Sequence, residues 1–393
     1  MAGRDFLQIP GPTNIPERIL RAMDRSMIDH RGPAFATLLK GLLPRLRPVF
    51  GSEGGTAVLF PGTGTAGLEA ALVNTLSPGD RVLVPVIGQF SQNYARMAER
   101  LGLEVERMEL PWGSAIPEAQ IHERLAADRG RRIRAVLAIH NETSTGVMTD
   151  IAAVRRALEQ ARHPALLVVD TISGLGSLDF RFDEWGVDVA VAGSQKGLLL
   201  PPGLAVLCVS EKALRASEQA RLPRYYFDWA AVIELNRKGY FPYTPATQLI
   251  FGLDEALKML DEEGLPSVIA RHALLAQGVR SAVAAWKLSL VAERPEAASN
   301  SVTAVRLPEG QDADRLIALA GAQFHLALGA GLGPLQGRVF RIGHLGALNA
   351  LEVLAVLGGL EMALRTLGCS VDLGRGVAAA QSWFLEHRDG VGI

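Results

Sequence analysis

Val187-Asp188-Val189-Ala190-Val191-Ala192-Gly193-Ser194-Gln195-Lys196-Gly197 is a short apolar run that ends in a small polar turn carrying one lysine. β-Branched residues spaced by alanine over so few positions read as a buried strand, because a helix needs a longer periodic pattern. Upstream, Ala165-Leu166-Leu167-Val168-Val169 is a second such run, and it ends in Asp170. Each strand therefore delivers one charged side chain just where its apolar run stops.

Working outward, strands alternate with amphipathic helical patterns from about residue 56 to 210. Thr56 to Phe60, Arg81 to Val86, Arg134 to Ile139 and Leu204 to Val209 read as further strands. Gly67 to Leu76, Gln92 to Leu101 and Ile151 to Ala161 read as helices. Alternation of this kind predicts an α/β fold with a mostly parallel central sheet flanked by helices. Ligands on such sheets gather outside the carboxyl ends of the strands, where Asp170 and Lys196 fall. Residues 1–30, rich in Pro and Gly, are expected to form an extended arm, and residues 31–250 the large domain. Residues 251–393 are expected to supply a connecting helix and a smaller C-terminal α/β domain, with strands near Ser301 to Arg306 and Val339 to Ile342.

The chain has 393 residues, 48% apolar and 21% charged, with a formal net charge of −1. That composition suits an ordinary globular protein and offers no basic surface for nucleic acid. Cys208 and Cys369 are the only cysteines, too few and too far apart for a disulfide framework or a metal site. No stretch of about 20 apolar residues suggests a membrane span. Met1 to Asp5 lacks a signal-peptide core, and Gly390 to Ile393 matches no common targeting tripeptide, so a cytoplasmic protein is expected.

Several segments carry candidate chemistry, and each also fits a plainer role. Pro61-Gly62-Thr63-Gly64-Thr65-Ala66-Gly67 joins a strand to a helix and could cradle a phosphate, or be an ordinary glycine turn. Phe90 could stack on a planar ring or simply pack. His140-Asn141-Glu142-Thr143-Ser144-Thr145-Gly146 is unusually polar for a strand-end loop; it could serve a ligand or cap the next helix. Asp170, if buried, needs a cation or several donors, or else it caps the following segment. Arg341, inside the apolar run Val339-Phe340-Arg341-Ile342, suits a carboxylate, or lies on an exposed edge. Tyr240-Phe241-Pro242-Tyr243-Thr244-Pro245 is a rigid aromatic loop that could reach a phosphate. His140 and His344 read as structural. A strand-end lysine paired with a buried aspartate suits an enzyme holding pyridoxal 5'-phosphate: the lysine would carry the aldehyde as a Schiff base, and the aspartate would pair with the pyridine nitrogen.

Together these segments resemble the class V aminotransferases of fold type I, specifically the alanine/serine–glyoxylate aminotransferase group. The resemblance runs from Pro10-Gly11-Pro12-Thr13-Asn14-Ile15-Pro16 past Arg341-Ile342-Gly343-His344-Leu345-Gly346. It implies amino transfer from a small L-amino acid, serine first and aspartate or alanine after it, to glyoxylate. It implies catalytic roles for Lys196 and Asp170, with Lys196 also shuttling the proton. Thr63, Gly64, Thr65 and Gln195 would bind the phosphate. Phe90 would stack on the ring, where many relatives have tryptophan. Thr143 would face cofactor and substrate, where relatives often have serine. Arg341 would take the substrate α-carboxylate, and Gly11 would line the pocket. The family shares sites across a homodimer, so Tyr243 and Thr244 would reach the neighbouring subunit's phosphate. A lyase of the cysteine desulfurase type shares this fold and cofactor but needs a mobile nucleophilic cysteine, which Cys208 in its strand does not suggest. A non-catalytic binding protein on the same scaffold is the remaining alternative, and the Asp170–Lys196 pair argues against it.

Overall fold

The computed structural model describes residues 5–387. The segments read above for targeting signals, at Met1 to Arg4 and Gly390 to Ile393, lie outside them. The chain opens with strand β1 (Phe6–Gln8) and helices α1 (Glu17–Met23) and α2 (Pro33–Val49). Then come β2 (Thr56–Gly62), α3 (Gly64–Thr75), β3 (Arg81–Val86), α4 (Gln89–Arg100), β4 (Glu104–Glu109), α5 (Glu118–Ala127) and β5 (Ile133–Ile139). A short hairpin of β6 (Asn141–Glu142) and β7 (Val147–Met148) leads to α6 (Ile151–Gln160), β8 (Leu166–Asp170), β9 (Val189–Gly193) and β10 (Gly203–Val209). Helices α7 (Glu211–Gln219), α8 (Trp229–Lys238), α9 (Thr247–Glu263) and α10 (Leu265–Ala285) follow. The remaining elements are β11 (Ser289–Leu290), β12 (Val302–Arg306), α11 (Ala313–Phe324), β13 (Leu326–Ala330), β14 (Val339–Gly343), α12 (Ala350–Leu367) and α13 (Arg375–Glu386).

Seven strands form the central sheet in the order β2-β10-β9-β8-β5-β3-β4. Only β10 runs antiparallel to its neighbours; the other pairings are parallel. Strands β8 and β9 are buried along their whole length. That explains why they read as continuous apolar runs rather than as alternating ones. Asp188, the one charge in the run that leads into β9, accepts a 2.8 Å hydrogen bond from the Leu167 N–H and pairs with Lys212 at 3.2 Å. A charge buried there is tolerated because it is both paired and hydrogen-bonded. In the ladder Ile139 pairs with Asp170, and Asp170 with Val191, so β5, β8 and β9 end at one edge.

A second sheet, in the order β1-β13-β14-β12-β11, carries the C-terminal region. Strand β1 joins it in parallel with β13, so the amino-terminal segment completes the smaller domain's sheet. Within residues 1–30, read as an extended arm, Glu17–Met23 is helical and buries Ile19. The large-domain core continues through Leu253, Leu257 and Leu260 of α9 to Val268, and the second core begins at Leu274. The two cores thus meet inside α10. Strand β4 escapes the apolar reading because its charges face solvent at a sheet edge; Glu104 pairs there with Arg81 and Arg132.

Candidate active site

Past the shared edge of β5, β8 and β9 lies a cavity of about 980 Å³, within the range that holds a cofactor together with a small substrate. Lys196 and Gln195 reach it from the turn after β9, and Asp170 from the last residue of β8. Gly64 and Thr65 bring the first turn of α3 to it; Thr63 is that helix's N-cap residue and lies just off the lining. Gly64 is required to be small, since a Cβ would meet Ile172 Cδ1 at 2.5 Å. Phe90, at the start of α4 and 39% exposed, forms part of one wall, and Thr143 lies on the lining too.

Gly11 closes the cavity from the amino-terminal segment. Its φ is +116°, and a Cβ there would meet the Lys196 side chain at 2.6 Å from Cδ and 2.7 Å from Cε. Both the backbone conformation and the close approach call for glycine. The lysine amine donates to the Pro10 carbonyl. The segment is pinned to the lysine turn by the Thr13 N–H donating to the Gln195 carbonyl at 3.1 Å. On its other side a Cβ at Gly329 would meet Pro10 Cδ at 2.7 Å, so the same segment packs against the smaller sheet.

Arg341 lies on β14 between β13 and β12, buried rather than on an edge. Its Nε donates to the Ala330 carbonyl at 2.8 Å and its Nη1 to the Thr143 carbonyl at 3.1 Å. It stands behind the lining, and burial lowers its guanidinium to about 10, still a cation at neutral pH. Burial first, and the Arg341 charge second, bring the Lys196 amine down to about 8, with Asp170 opposing. About a tenth of that amine is then neutral at pH 7, far more than for an ordinary lysine, and the neutral form is the one a nucleophile or proton carrier uses. Burial raises the Asp170 carboxyl to about 7; the Ile172 N–H, donating to Oδ1 at 2.8 Å, opposes this, and the Glu142 charge adds to it.

Glu142, Asn141, Ser173 and Tyr94 are the residues whose roles sequence reasoning left unassigned. Glu142 is fully buried and accepts from the Phe90 and Ser91 N–H groups at 3.2 and 2.9 Å and from the Ser91 hydroxyl at 3.0 Å. It also accepts from the Ser144 N–H at 3.2 Å and from the Ser144 hydroxyl. It thereby fixes the start of α4, and Phe90 with it. Asn141 donates to the Ser173 and Ser301 hydroxyls, both at 2.8 Å, and the Thr143 and Ser173 hydroxyls lie 2.6 Å apart. Tyr94 sits one helical turn beyond Phe90, a spacing that could have flagged it. His140 and His344 lie off the cavity. His140 faces the Thr171 hydroxyl at 3.1 Å, and His344 is held by Thr303 and the Asn300 carbonyl, each at 2.8 Å. Tyr243 and Thr244 also lie off this chain's cavity. The Tyr243 ring stacks on Tyr226 at 4.3 Å, and Thr244 is exposed.

The residues fit pyridoxal 5'-phosphate on grounds internal to this structure. Gln195 Oε1, Asn141 Oδ1 and the Tyr94 hydroxyl are buried polar atoms, of residues that line the cavity, with no hydrogen-bond partner among the described residues. Such atoms are costly unless something polar fills the space. Asp170 is a buried carboxylate that a protonated ring nitrogen would satisfy, and Lys196 is an amine of suitable basicity for an aldehyde. Gly64 and Thr65 at a helix start, with Gln195, suit a phosphate.

The family model described as aminotransferase class-V matches residues 6–334. Serine–glyoxylate aminotransferase of Methylorubrum extorquens is 51% identical over 390 residues, covering 98% of this chain and 97% of that protein. L-Aspartate–glyoxylate aminotransferase of Paracoccus denitrificans is 50% identical over 384 residues, covering 98% and 97%. Among solved structures, ureidoglycine–glyoxylate aminotransferase of Bacillus subtilis superposes with a TM-score of 0.90 at 28% identity, covering 98% of this chain and 99% of that one.

Proposed function

The chain belongs to the class V aminotransferases, and we propose that it transfers the amino group of a small L-amino acid, serine foremost, to glyoxylate, giving glycine and a 2-oxo acid. The observation that carries this reading is the pairing of Lys196 with a buried guanidinium, Arg341, behind neutral hydroxyl and amide groups. Arg341 offers the charge for an α-carboxylate, and Thr143, Ser173 and Asn141 offer hydrogen bonds suited to a short hydroxylated side chain. Relatives of 51% and 50% identity are named for serine and for aspartate as donor, and both for glyoxylate.

Pyridoxal phosphate, when bound, supplies an electron-poor ring that stabilises negative charge at the substrate α-carbon. The chain's own residues do the rest. Asp170 would pair with the ring nitrogen; Gly64, Thr65, Thr63 and Gln195 would take the phosphate; Phe90 would wall one side. Arg341 would orient the α-carboxylate. Lys196 Nζ, with its lowered basicity, would remove the α-proton and return it on the other side of the exchange. The Pro10 carbonyl gives that amine a place to rest within reach of the cavity.

We place the active form as a cytoplasmic homodimer. No helix among the described residues is long and apolar enough to cross a membrane. The Tyr243 hydroxyl has no partner among the described residues, and its loop lies away from this chain's own cavity. Thr244, exposed on this chain, is open to a neighbouring copy, whereas the Tyr243 hydroxyl, buried within this chain, would reach one only after its loop shifts. The desulfurase alternative loses support from Cys208, buried in β10 with its thiol pushed up to about 12. A thiol so reluctant to ionise is a poor nucleophile.

A donor screen with glyoxylate as acceptor, scored by glycine formation, tests the assignment. Serine should give the highest kcat/KM. Faster turnover with aspartate or alanine would overturn the donor choice, and no glycine from any donor would overturn the acceptor.

A further inference from the structure

One of the unpartnered buried atoms belonging to the cavity's lining residues is the Tyr94 hydroxyl. Tyr94 is 1% exposed, on the inner face of α4, and its ring packs within the large-domain core. Its hydroxyl nevertheless bonds no described residue, although the side chain borders the cavity that Asp170 and Lys196 share. A buried hydroxyl left unsatisfied costs about as much as a lost hydrogen bond, and phenylalanine would fill the same space without that cost. A polar group entering the cavity beside it would give the hydroxyl the partner it lacks.

We propose that Tyr94 is a positioning residue of the cofactor site, whose hydroxyl completes its hydrogen bond only when pyridoxal phosphate is bound, on the side of the cavity held by Asp170. The inference rests on the cofactor site described above and adds a residue to it. The chemistry is that of a neutral donor. Burial and the Asp170 charge hold the phenol's proton on, well above its ordinary value, so the group donates and does not ionise. The acceptor is an oxygen at that end of the filled site, the Asp170 carboxylate reached through a water that the cofactor traps. A carboxylate can accept several hydrogen bonds at once, so the bond from the water that Tyr94 holds adds to those from Ile172 and the ring nitrogen rather than competing. A donor aimed at the ionised form of Asp170 holds it charged and so strengthens its grip on the ring.

The placement on α4 adds a second consequence. Phe90 and Tyr94 are four residues apart and share a helix face, and Glu142 fixes the start of that helix. One rigid element thus presents an aromatic wall and a hydroxyl donor to the same ligand.

Tyr94→Phe tests the proposal through cofactor binding and thermal stability. Wild type and variant are each prepared with pyridoxal phosphate and stripped of it, and affinity and Tm are measured in both states. The variant should bind pyridoxal phosphate up to about ten-fold more weakly, the effect of one hydrogen bond. Its cofactor-free form should melt at or above the wild-type temperature, because an unsatisfied hydroxyl has gone, so the rise in Tm on binding shrinks. Equal affinities with an unchanged rise would overturn the proposal. So would a variant less stable than wild type by the same amount in both states, which marks a purely structural hydroxyl. Tyr94→Trp, which keeps a buried N–H donor, should restore part of the affinity relative to Phe; affinity no better than that of Phe would count against a donor role. Failure of wild type itself to bind pyridoxal phosphate would instead refute the site assignment beneath.

Discussion

Glu142→Gln is the substitution whose consequences can be worked furthest. Glu142 is buried with no ion-pair partner among the described residues, and its negative charge is held by donors from two segments: Phe90 and Ser91 at the start of α4, and Ser144 in its own loop. A carboxylate at a helix N-terminus gains from the helix dipole as well as from its hydrogen bonds. Glutamine fits the same volume but turns one acceptor oxygen into an NH2 that faces N–H and O–H donors. A charged hydrogen bond is worth about 1.5–3 kcal/mol, so losing one puts the cost at about 1.5–3 kcal/mol and losing two at up to about 6 kcal/mol. The second effect has the opposite sense. The Glu142 charge helps hold the Asp170 carboxyl up near 7, so removing it lets Asp170 ionise at lower pH. The variant should be less stable while its aspartate becomes more acidic. Urea unfolding followed by tryptophan fluorescence reads the first effect. A pH titration of the cofactor-free protein, with the Asp170 carboxyl followed by difference infrared spectroscopy, reads the second. A loss of stability below about 0.5 kcal/mol would refute the anchoring role, and an upward movement of Asp170 would refute the electrostatics.

Three further outcomes are expected. Lys196→Ala should abolish both the visible absorbance of bound pyridoxal phosphate and transamination; turnover at the wild-type rate would end the assignment of Lys196. Gly11→Ala forces a side chain into backbone of positive φ, at a cost of about 1–2 kcal/mol, and displaces the lysine; kcat should fall at least ten-fold, and unchanged kinetics would show that the segment does not constrain Lys196. His140, His272 and His344 are each held near 3 by burial, below their unfolded value, so unfolding takes up protons. Their stabilising contribution is complete above about pH 6.5 and is lost as the pH falls toward 3, at about 1.4 kcal/mol per pH unit for each. Asp170, raised in the folded state, works the other way and favours folding as the pH drops from about 7 toward 4. Three groups outweigh one, so net stability should decline below pH 6, as equilibrium unfolding across the range would show; a rise there would contradict the three buried histidines.

The parts of this fold legible in the sequence are those where one physical rule acts alone. Strands β8 and β9 are buried on both faces, so hydrophobicity fixes every position, and their ends fall at one edge because parallel strands share direction. Asp170 and Lys196 were visible for that reason. Thr63 to Thr65 were visible because glycine marks the turn from β2 into α3. Strand β4 was not, since an edge strand can carry Glu104, Glu106 and Arg107 at little cost. The short α1 was hidden among prolines and glycines that read as extended.

The site's remaining members depend on juxtapositions with no local signature. Arg341 reaches the Thr143 carbonyl across 198 positions of chain, and the lysine amine reaches Pro10 across 186. Only the folded chain shows that Arg341 is central and buried rather than on an edge, which turns a plain strand arginine into a neighbour that acidifies Lys196. Glu142 shows the same dependence in reverse. Its motif announced a polar loop, but its effect falls on α4 and on Asp170, two elements it does not belong to. The chemistry is therefore divided. Residue types at strand ends say which reaction is possible, while the groups that tune Lys196 and Asp170 toward neutrality come from distant segments that fold against them. A substitution at Glu142 or Arg341 should accordingly shift the acidity of Asp170 or Lys196, whereas one at Lys196 would remove the proposed reacting amine and one at Asp170 its proposed partner for the ring nitrogen.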